Sequence, residues 1–206
     1  MDAKHLVTTI GQLESLYDPP SATVLAKQVD RLDDHCRAFV AASPFVLLAT
    51  MGAGGVDCSP RGDTPGFVEV LDDRTLLLPD RRGNNRIDSL RNIVGNPEVG
   101  LIFLVPGIGE TLRVRGRARI STEPALLERF PVGGRLPRTV IMVAVEAAFM
   151  QCSRAIVRSR LWDPASRRDR TSLPSMGTIL EAHTGGRVEA AVYDAELPGR
   201  LRDTLY

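Results

Sequence analysis

Apolar residues in the middle of the chain form short runs separated by turn residues, a pattern that predicts β-strands. The continuous run Phe45–Met51 is typical of a buried strand, and the Gly-rich turn after it leads into a hairpin partner beginning near Val56. Further strands are predicted to begin near the following positions: Phe67, Thr75, Val99, Glu110 and Thr139. The central part of the chain is therefore predicted to be mainly β, with seven candidate strands.

The predicted strand Glu110–Ile120 alternates strictly between small or apolar residues and arginine. Its four arginines, at positions 113, 115, 117 and 119, share one face because successive side chains of a strand point to opposite sides. The simplest interpretation is a solvated outer face of the sheet. A dimer face or a ligand face is the alternative.

Helices are predicted on both sides of the strand-rich region. Apolar residues at helical spacing predict helices over Asp2–Tyr17, Ala22–Ala42 and Ser175–His183. We therefore expect a single domain over residues 1–206, with N-terminal helices up to about residue 42 and a C-terminal helical extension from about residue 175.

Charge and composition exclude several classes of function. With 26 basic and 25 acidic residues, the chain has no global field that would attract nucleic acid or an anionic membrane. Three cysteines without CxxC spacing indicate a reducing compartment, and three histidines show no metal-binding pattern. No apolar run is long enough to span a membrane. We expect a soluble, cytoplasmic protein without a metal, nucleic-acid or membrane partner.

The segment Val56–Asn92 concentrates the candidate binding chemistry. A strand, a hairpin, a second strand, a basic loop and a helix start follow one another, an order that suits a cradle for a phosphorylated cofactor. Arginine binds phosphate through two parallel hydrogen bonds, which makes the arginines of this segment the strongest candidates. The donors are Ser59, Arg61, Asn84, Asn85 and Arg86. The alternative is that Arg61 is an exposed strand arginine and that Asn85 and Arg86 merely cap a surface helix.

Four motifs in this order resemble the pyridoxamine 5′-phosphate oxidase-like family of FMN-binding split barrels. They read DCSPRGD with GFV, LLLPDRRGNNRIDSLRNI, RSRLWDP and LPSMG, and the similarity covers roughly Leu25 to Gly185. The last two resemble a bacterial branch described as FMN-dependent enzymes. The resemblance implies a mainly β fold with peripheral helices, a six-stranded antiparallel split β-barrel, and a homodimer with FMN at the subunit interface.

The resemblance also implies a set of cofactor-binding residues. Thr111 falls where some relatives place a side chain near the pyrimidine edge of the flavin, and Trp162 where an aromatic residue of the partner subunit could cover the ring; a core tryptophan is the alternative. Asn85 and Arg86 stand where the family has an Arg-Lys pair. The complete predicted set is Ser59, Arg61, Pro79, Asp80, Asn84, Asn85, Arg86, Ser89, Thr111 and Trp162.

No nucleophile–base pair, G-x-S-x-G, G-x-G-x-x-G or Walker motif is present, so catalytic residues remain unknown. This scarcity agrees with a flavin that carries the chemistry itself. The single cradle favours FMN over FAD. We expect an FMN-dependent oxidoreductase for a small organic substrate, with the loop Trp162–Pro174 as a cover or merely a solvated loop. The alternative is a non-catalytic FMN-binding, storage or redox-sensing protein; a relative using F420 or haem is more distant, and vitamin B6 oxidation is not expected.

Overall fold

In the computed structural model, which describes residues 3–206, the middle of the chain forms one antiparallel sheet of eight strands. The strands are Gln28–Val29 (β1), Phe45–Gly52 (β2), Gly55–Gly62 (β3), Glu69–Val70 (β4), Thr75–Pro79 (β5), Glu98–Leu104 (β6), Thr111–Ser121 (β7) and Val140–Gln151 (β8). Their order is β3-β2-β6-β7-β8-β5-β4, and β1 pairs with β8 outside this path. The sheet is therefore an open path with β3 and β4 at its ends.

The predicted mainly β, antiparallel class with peripheral helices is confirmed, and the predicted number of six strands is wrong. All seven candidate strands form, although the one expected from Phe67 is reduced to the two residues of β4. The eighth strand, β1, lies inside a segment predicted to be helical and pairs Val29 with Ala148. Phe67 and Val68 instead enter the core as buried loop residues.

Eight α-helices surround the sheet within the described residues. They are Ile10–Glu14 (α1), Ala22–Ala26 (α2), Asp34–Ala42 (α3), Asp88–Gly95 (α4), Pro124–Leu127 (α5), Arg154–Ser159 (α6), Met176–His183 (α7) and Ala190–Thr204 (α8). The helix predicted from Asp2 to Tyr17 is shorter than expected and reduces to α1, preceded by a 3₁₀ turn; its start at residue 2 lies outside the described residues. No helix of residues 3–206 is long and apolar enough to cross a membrane.

The continuous helix predicted over Ala22–Ala42 is wrong, because tertiary contacts interrupt it. The backbone N–H of Leu32 donates to the carbonyl oxygen of Asp73 at 2.7 Å, and the Leu32 side chain is buried in the core. A new helix then begins at α3, where the Asp33 carboxylate accepts from the backbone N–H of Cys36 at 2.8 Å. This is an ordinary aspartate N-cap.

The core lies between the curved sheet and helices α3 and α4. On β7, Leu112, Val114 and Ala118 point into the core, while the four arginines of this strand are exposed in the single chain. The strand carries a bulge at Gly116, where an added Cβ would lie 2.1 Å from the carbonyl oxygen of Ala144. Only glycine allows this close approach of the two backbones.

Candidate functional site

A cleft of about 900 Å³ opens between β3, the segment after β5 and the loop before β8. Seven of the ten predicted cofactor residues line it: Ser59, Arg61, Asp80, Asn84, Asn85, Arg86 and Ser89. Its size is typical of a small-molecule or cofactor site. The structure therefore brings most of the predicted cradle together around one cavity.

The first wall of the cleft comes from one face of β3. Burial along this strand alternates, so that Asp57, Ser59 and Arg61 form the half-buried face and their neighbours are exposed. At the start of α4, the buried Ser89 hydroxyl donates to the Asp57 carboxylate at 3.2 Å. This bond joins the strand to the helix, and it engages the Ser89 hydroxyl that the sequence suggested for the cofactor.

The floor of the cleft contains two buried polar atoms without partners. Arg61 Nε and Thr139 Oγ1 are inaccessible to solvent and make no hydrogen bond among the described residues. Thr139 lies beside Asp80, whose backbone N–H donates to the Thr139 carbonyl oxygen at 2.9 Å. Buried polar groups are almost always satisfied in folded proteins, so these two atoms are exceptions within the residues that line the cleft.

Asp80 lies between positive charges on the same floor. Burial raises the pKa of its carboxyl group, and the nearby guanidinium groups of Arg61 and Arg138 partly oppose that rise. A carboxylate with a raised pKa in a cleft is typical of a functional position. Because it is a poor neighbour for a phosphate, Asp80 is better suited to accept hydrogen bonds from hydroxyl groups.

The loop before α4 has a strained backbone. Asn85 and Ile87 are both left-handed, with φ of 58° and 54°, and a β-branched residue such as Ile87 seldom adopts this conformation. The Asn84 side chain accepts from the Arg86 backbone N–H at 3.0 Å and holds the turn. Strain of this kind persists only where surrounding contacts fix it, and it is concentrated at ligand sites.

Arg86 is less suited to bind an anion than the sequence indicated. The helix begins at Asp88, two residues after Arg86. The Asp88 carboxylate accepts from Arg86 Nε at 2.7 Å, and the Arg86 side chain is 74% exposed. Asp88 follows a left-handed N-cap residue and places a negative charge at the helix N-terminus, where an anion was expected.

Arginine dominates the charge of the cleft. Six arginines line it against three aspartates, which leaves an excess of three positive charges; the arginines are Arg61, Arg81, Arg82, Arg86, Arg135 and Arg138. Arg81 is also held by Asp63 behind the wall, with Nε 2.7 Å from Asp63 Oδ2. The cleft is thus electrostatically suited to a ligand carrying one or two negative charges.

Three predicted residues do not line the cleft. Pro79 is buried behind Asp80 at the end of β5. Thr111 begins β7, next to the turn that follows β6. Trp162 lies against that turn, where its indole N–H donates to the Ile108 carbonyl oxygen at 2.7 Å. Within one chain, Thr111 and Trp162 therefore lie near each other, and the role of Trp162 as a cover stays a prediction.

Several residues of the cleft were missed from the sequence. Arg81 belongs to the basic loop and carried a local signal, because it stands beside the predicted Asp80. Thr139 is brought to the floor by the pairing of β5 with β8. Arg135 and Tyr206 come from distant segments, and no local pattern indicated them.

A second depression, of about 530 Å³, lies on the outer face of the sheet. Leu47, Ala49, Ile102 and Phe149 supply an apolar surface there, next to two of the exposed arginines of β7. Cys58 lines both this depression and the cleft, so the two surfaces adjoin at β3. Among residues 3–206, no group of histidine, cysteine, aspartate and glutamate side chains could hold a metal ion.

Comparisons with known proteins give one family model and several similar solved structures. Residues 32–152 match the family model described as pyridoxamine 5′-phosphate oxidase. HupZ of Group A Streptococcus is similar at 20% identity and a TM-score of 0.48, over 57% of this chain and 92% of that one. General Stress Protein 26 of Bacillus anthracis str. Sterne is similar at 16% identity and a TM-score of 0.40, over 55% of this chain and 88% of that one. An FMN-binding protein of Syntrophomonas wolfei subsp. wolfei is similar at 13% identity and a TM-score of 0.44, over 55% of this chain and 82% of that one. No curated protein matches the chain.

Proposed function

The chain belongs to the pyridoxamine 5′-phosphate oxidase family, and from that membership we propose that it binds FMN in the arginine-rich cleft and acts as an FMN-dependent oxidoreductase. The substrate is a small organic molecule. The observation that carries the proposal is the arginine-rich lining of the cleft, in which the Arg61 side chain makes no hydrogen bond or ion pair among residues 3–206.

A phosphate group fits this lining. The guanidinium of Arg61 would donate to phosphate oxygens, and the excess of arginine offsets the charge of the ligand. The carboxylates of Asp57 and Asp80 would accept from hydroxyl groups of the ribityl chain. The cleft therefore offers a cationic end for the phosphate and a wall of hydrogen-bond acceptors for the ribityl chain.

The bound flavin supplies reversible electron transfer, so the chain need not provide a nucleophile. Its own residues bind, orient and exclude water. Arg61 would hold the anionic end, Asn84 maintains the turn of the loop, and Ser89 fixes Asp57 through the hydrogen bond at 3.2 Å. No residue is assigned to proton transfer.

A homodimer with FMN at the subunit interface completes the proposal. The accessible surface of the chain is 13953 Å², whereas a compact monomer of 22.4 kDa exposes about 9,400 Å². The excess supports a second subunit that covers part of the surface. The apolar outer face of the sheet adjoins the cleft at Cys58, and we place the Thr111 and Trp162 of one subunit near the cleft of the other.

Light scattering tests the dimer. The expected particle has about twice the mass of 22.4 kDa at micromolar concentration. A particle of 22.4 kDa would contradict the interface.

The three free cysteines, two of them exposed, support the proposed cytoplasmic location.

Titration with FMN tests the cofactor assignment. Addition of protein should quench flavin fluorescence, and riboflavin, which lacks the phosphate, should bind more weakly by roughly tenfold or more, the value of at least one charge-assisted hydrogen bond. Absence of FMN binding at concentrations on the order of tens of micromolar, where specific cofactor sites are occupied, would refute the assignment.

Stopped-flow reduction distinguishes the enzyme from a non-catalytic FMN-binding or redox-sensing protein. NADH or NADPH should reduce the bound flavin, and candidate acceptors should reoxidise it. Reduction slower than about once per minute with every donor, far below ordinary turnover, would favour the binding protein. This outcome would leave the FMN site itself in place.

A further inference from the structure

Tyr206 reaches the cofactor cleft from the far side of the chain. It lines the cleft, and its phenol O–H donates to Asp63 Oδ1 at 2.8 Å, a contact between residues 143 positions apart. The backbone oxygen of Tyr206 accepts from Arg135 at 2.6 Å. Two contacts from two different segments therefore hold this residue against the cleft wall.

The acceptor of the phenol is itself firmly held. The Asp63 side chain is only 1% exposed and is bound by Arg81 Nε and the Thr64 backbone N–H, both at 2.7 Å. Arg81 also donates to the carbonyl oxygen of Phe130 at 2.7 Å. Burial alone would raise the pKa of Asp63, but hydrogen bonds from Thr64, Tyr206 and Arg81 hold it below the ordinary value. The carboxylate is thus a fixed anionic anchor for the tyrosine.

The segment that carries Tyr206 lies beyond the part of the chain that matches the family model, which ends at residue 152. Helix α8 ends at Thr204, and Leu205 and Tyr206 follow it to the cleft. Helices α7 and α8 pack on each other, with the Gly177 backbone N–H donating to Asp194 at 2.8 Å. The C-terminal helices therefore contribute to a cleft that the family-matched region otherwise builds.

We propose that Tyr206 is a ligand-contact residue of the cleft, whose ring lies against bound FMN and slows its release. The inference rests on the proposed function and assigns a binding role to the C-terminal segment. The hydroxyl is taken by Asp63, so the ring is what Tyr206 offers to a ligand. An aromatic ring beside a flavin or its ribityl chain adds contact area and stacking.

The volume of the cleft argues for a wall and against a plug. About 900 Å³ remain open with Tyr206 in place, within the range of ordinary cofactor sites. A residue that blocked the site would leave little such space. Tyr206 and a ligand can therefore occupy the cleft together.

The test measures FMN release from the full-length wild type and three variants by stopped-flow fluorescence. An excess of a competing ligand prevents the released flavin from binding again. Tyr206→Ala should release FMN roughly tenfold faster, with the association rate nearly unchanged, because contact area is lost while the arginines remain. Tyr206→Phe should stay closer to the wild type. Tyr193→Ala is the matched control, because Tyr193 also lies on the C-terminal segment but contacts Arg200 instead of the cleft.

A second measurement is independent of flavin turnover. Hydrogen exchange of the peptide containing Tyr206 should slow on addition of FMN, and this protection should be absent in Tyr206→Ala. Unchanged release from Tyr206→Ala would overturn the inference, and faster association with tighter binding would show a plug instead. If the wild type does not bind FMN at all, both the proposed function and this inference fail. If the wild type binds FMN but Tyr206→Ala releases it no faster than Tyr193→Ala does, the inference fails and the proposed function stands.

Discussion

Replacement of Arg61 by methionine tests the proposed phosphate site most directly. Methionine retains an apolar side chain of similar length, so the variant removes the guanidinium while largely filling the space. Arg61 lines the cleft, and its side chain makes no hydrogen bond or ion pair among residues 3–206, so its hydrogen bond to a phosphate would form without breaking another. A hydrogen bond to a charged group is worth about 1.5–3 kcal/mol. Arg61→Met should therefore weaken FMN binding roughly 10- to 150-fold.

Arg86→Met gives the contrasting case. Arg86 is 74% exposed and already pairs with Asp88, so transfer to a phosphate would exchange one solvated ion pair for another. Such pairs contribute about 0–1 kcal/mol, and the expected loss of affinity is about fivefold or less. The difference between the two variants follows from burial and pairing, since both lose the same charge.

The assay is titration of the FMN-free protein, with flavin fluorescence as the signal and thermal unfolding as the check on folding. Arg119→Met is the matched control, because Arg119 is exposed on β7 and does not line the cleft. Riboflavin should bind to Arg61→Met and to the wild type with similar affinity, because it lacks the phosphate. Equal losses for FMN and riboflavin, or an Arg86 effect larger than the Arg61 effect, would refute the reasoning.

Three further outcomes are expected. Cys36 should stay unreactive at pH 8 until the protein unfolds, because burial raises the pKa of its thiol to about 11. Gly116→Ala should lower the melting temperature through a clash worth about 1–3 kcal/mol, and an unchanged value would show that the bulge can relax. Folding lowers the pKa of Asp63, so its carboxylate stabilises the folded state above the unfolded pKa of 3.8, and this stabilisation is lost as the pH falls through the folded pKa. The stability of Asp63→Asn should therefore lack this part of the pH dependence in an acid-unfolding experiment.

The sequence predicted the part of the site that a short segment builds. Alternation along β3 placed Ser59 and Arg61 on one face, and the loop after β5 followed within about thirty residues, so local periodicity was sufficient. Arg86 shows the limit of this reasoning. The type of residue indicated an anion donor, but Asp88 engages its guanidinium, and side-chain pairing is not visible in periodicity.

Long-range contacts account for what could not be predicted. Thr139 joins the floor through the pairing of β5 with β8, and Tyr206 joins through a hydrogen bond across 143 positions. The helix predicted through Val29 failed for the same reason, since its strand pairing with Ala148 outweighs a helical pattern that is only a weak local preference. The aspartate at position 33 did carry a readable cap signal.

The distribution of ion pairs explains why Arg61 should decide which ligand binds. Arg81 and Arg86 each have a carboxylate partner within the protein, so their charges are already offset when the cleft is empty. The Arg61 side chain makes no hydrogen bond or ion pair among residues 3–206 and has only the long-range field of Asp80, whose own pKa is raised by burial. A ligand with suitable acceptors would therefore pair with Arg61 without breaking a contact of the empty cleft. The surrounding arginines would raise the local concentration of an anion more than they specify its position.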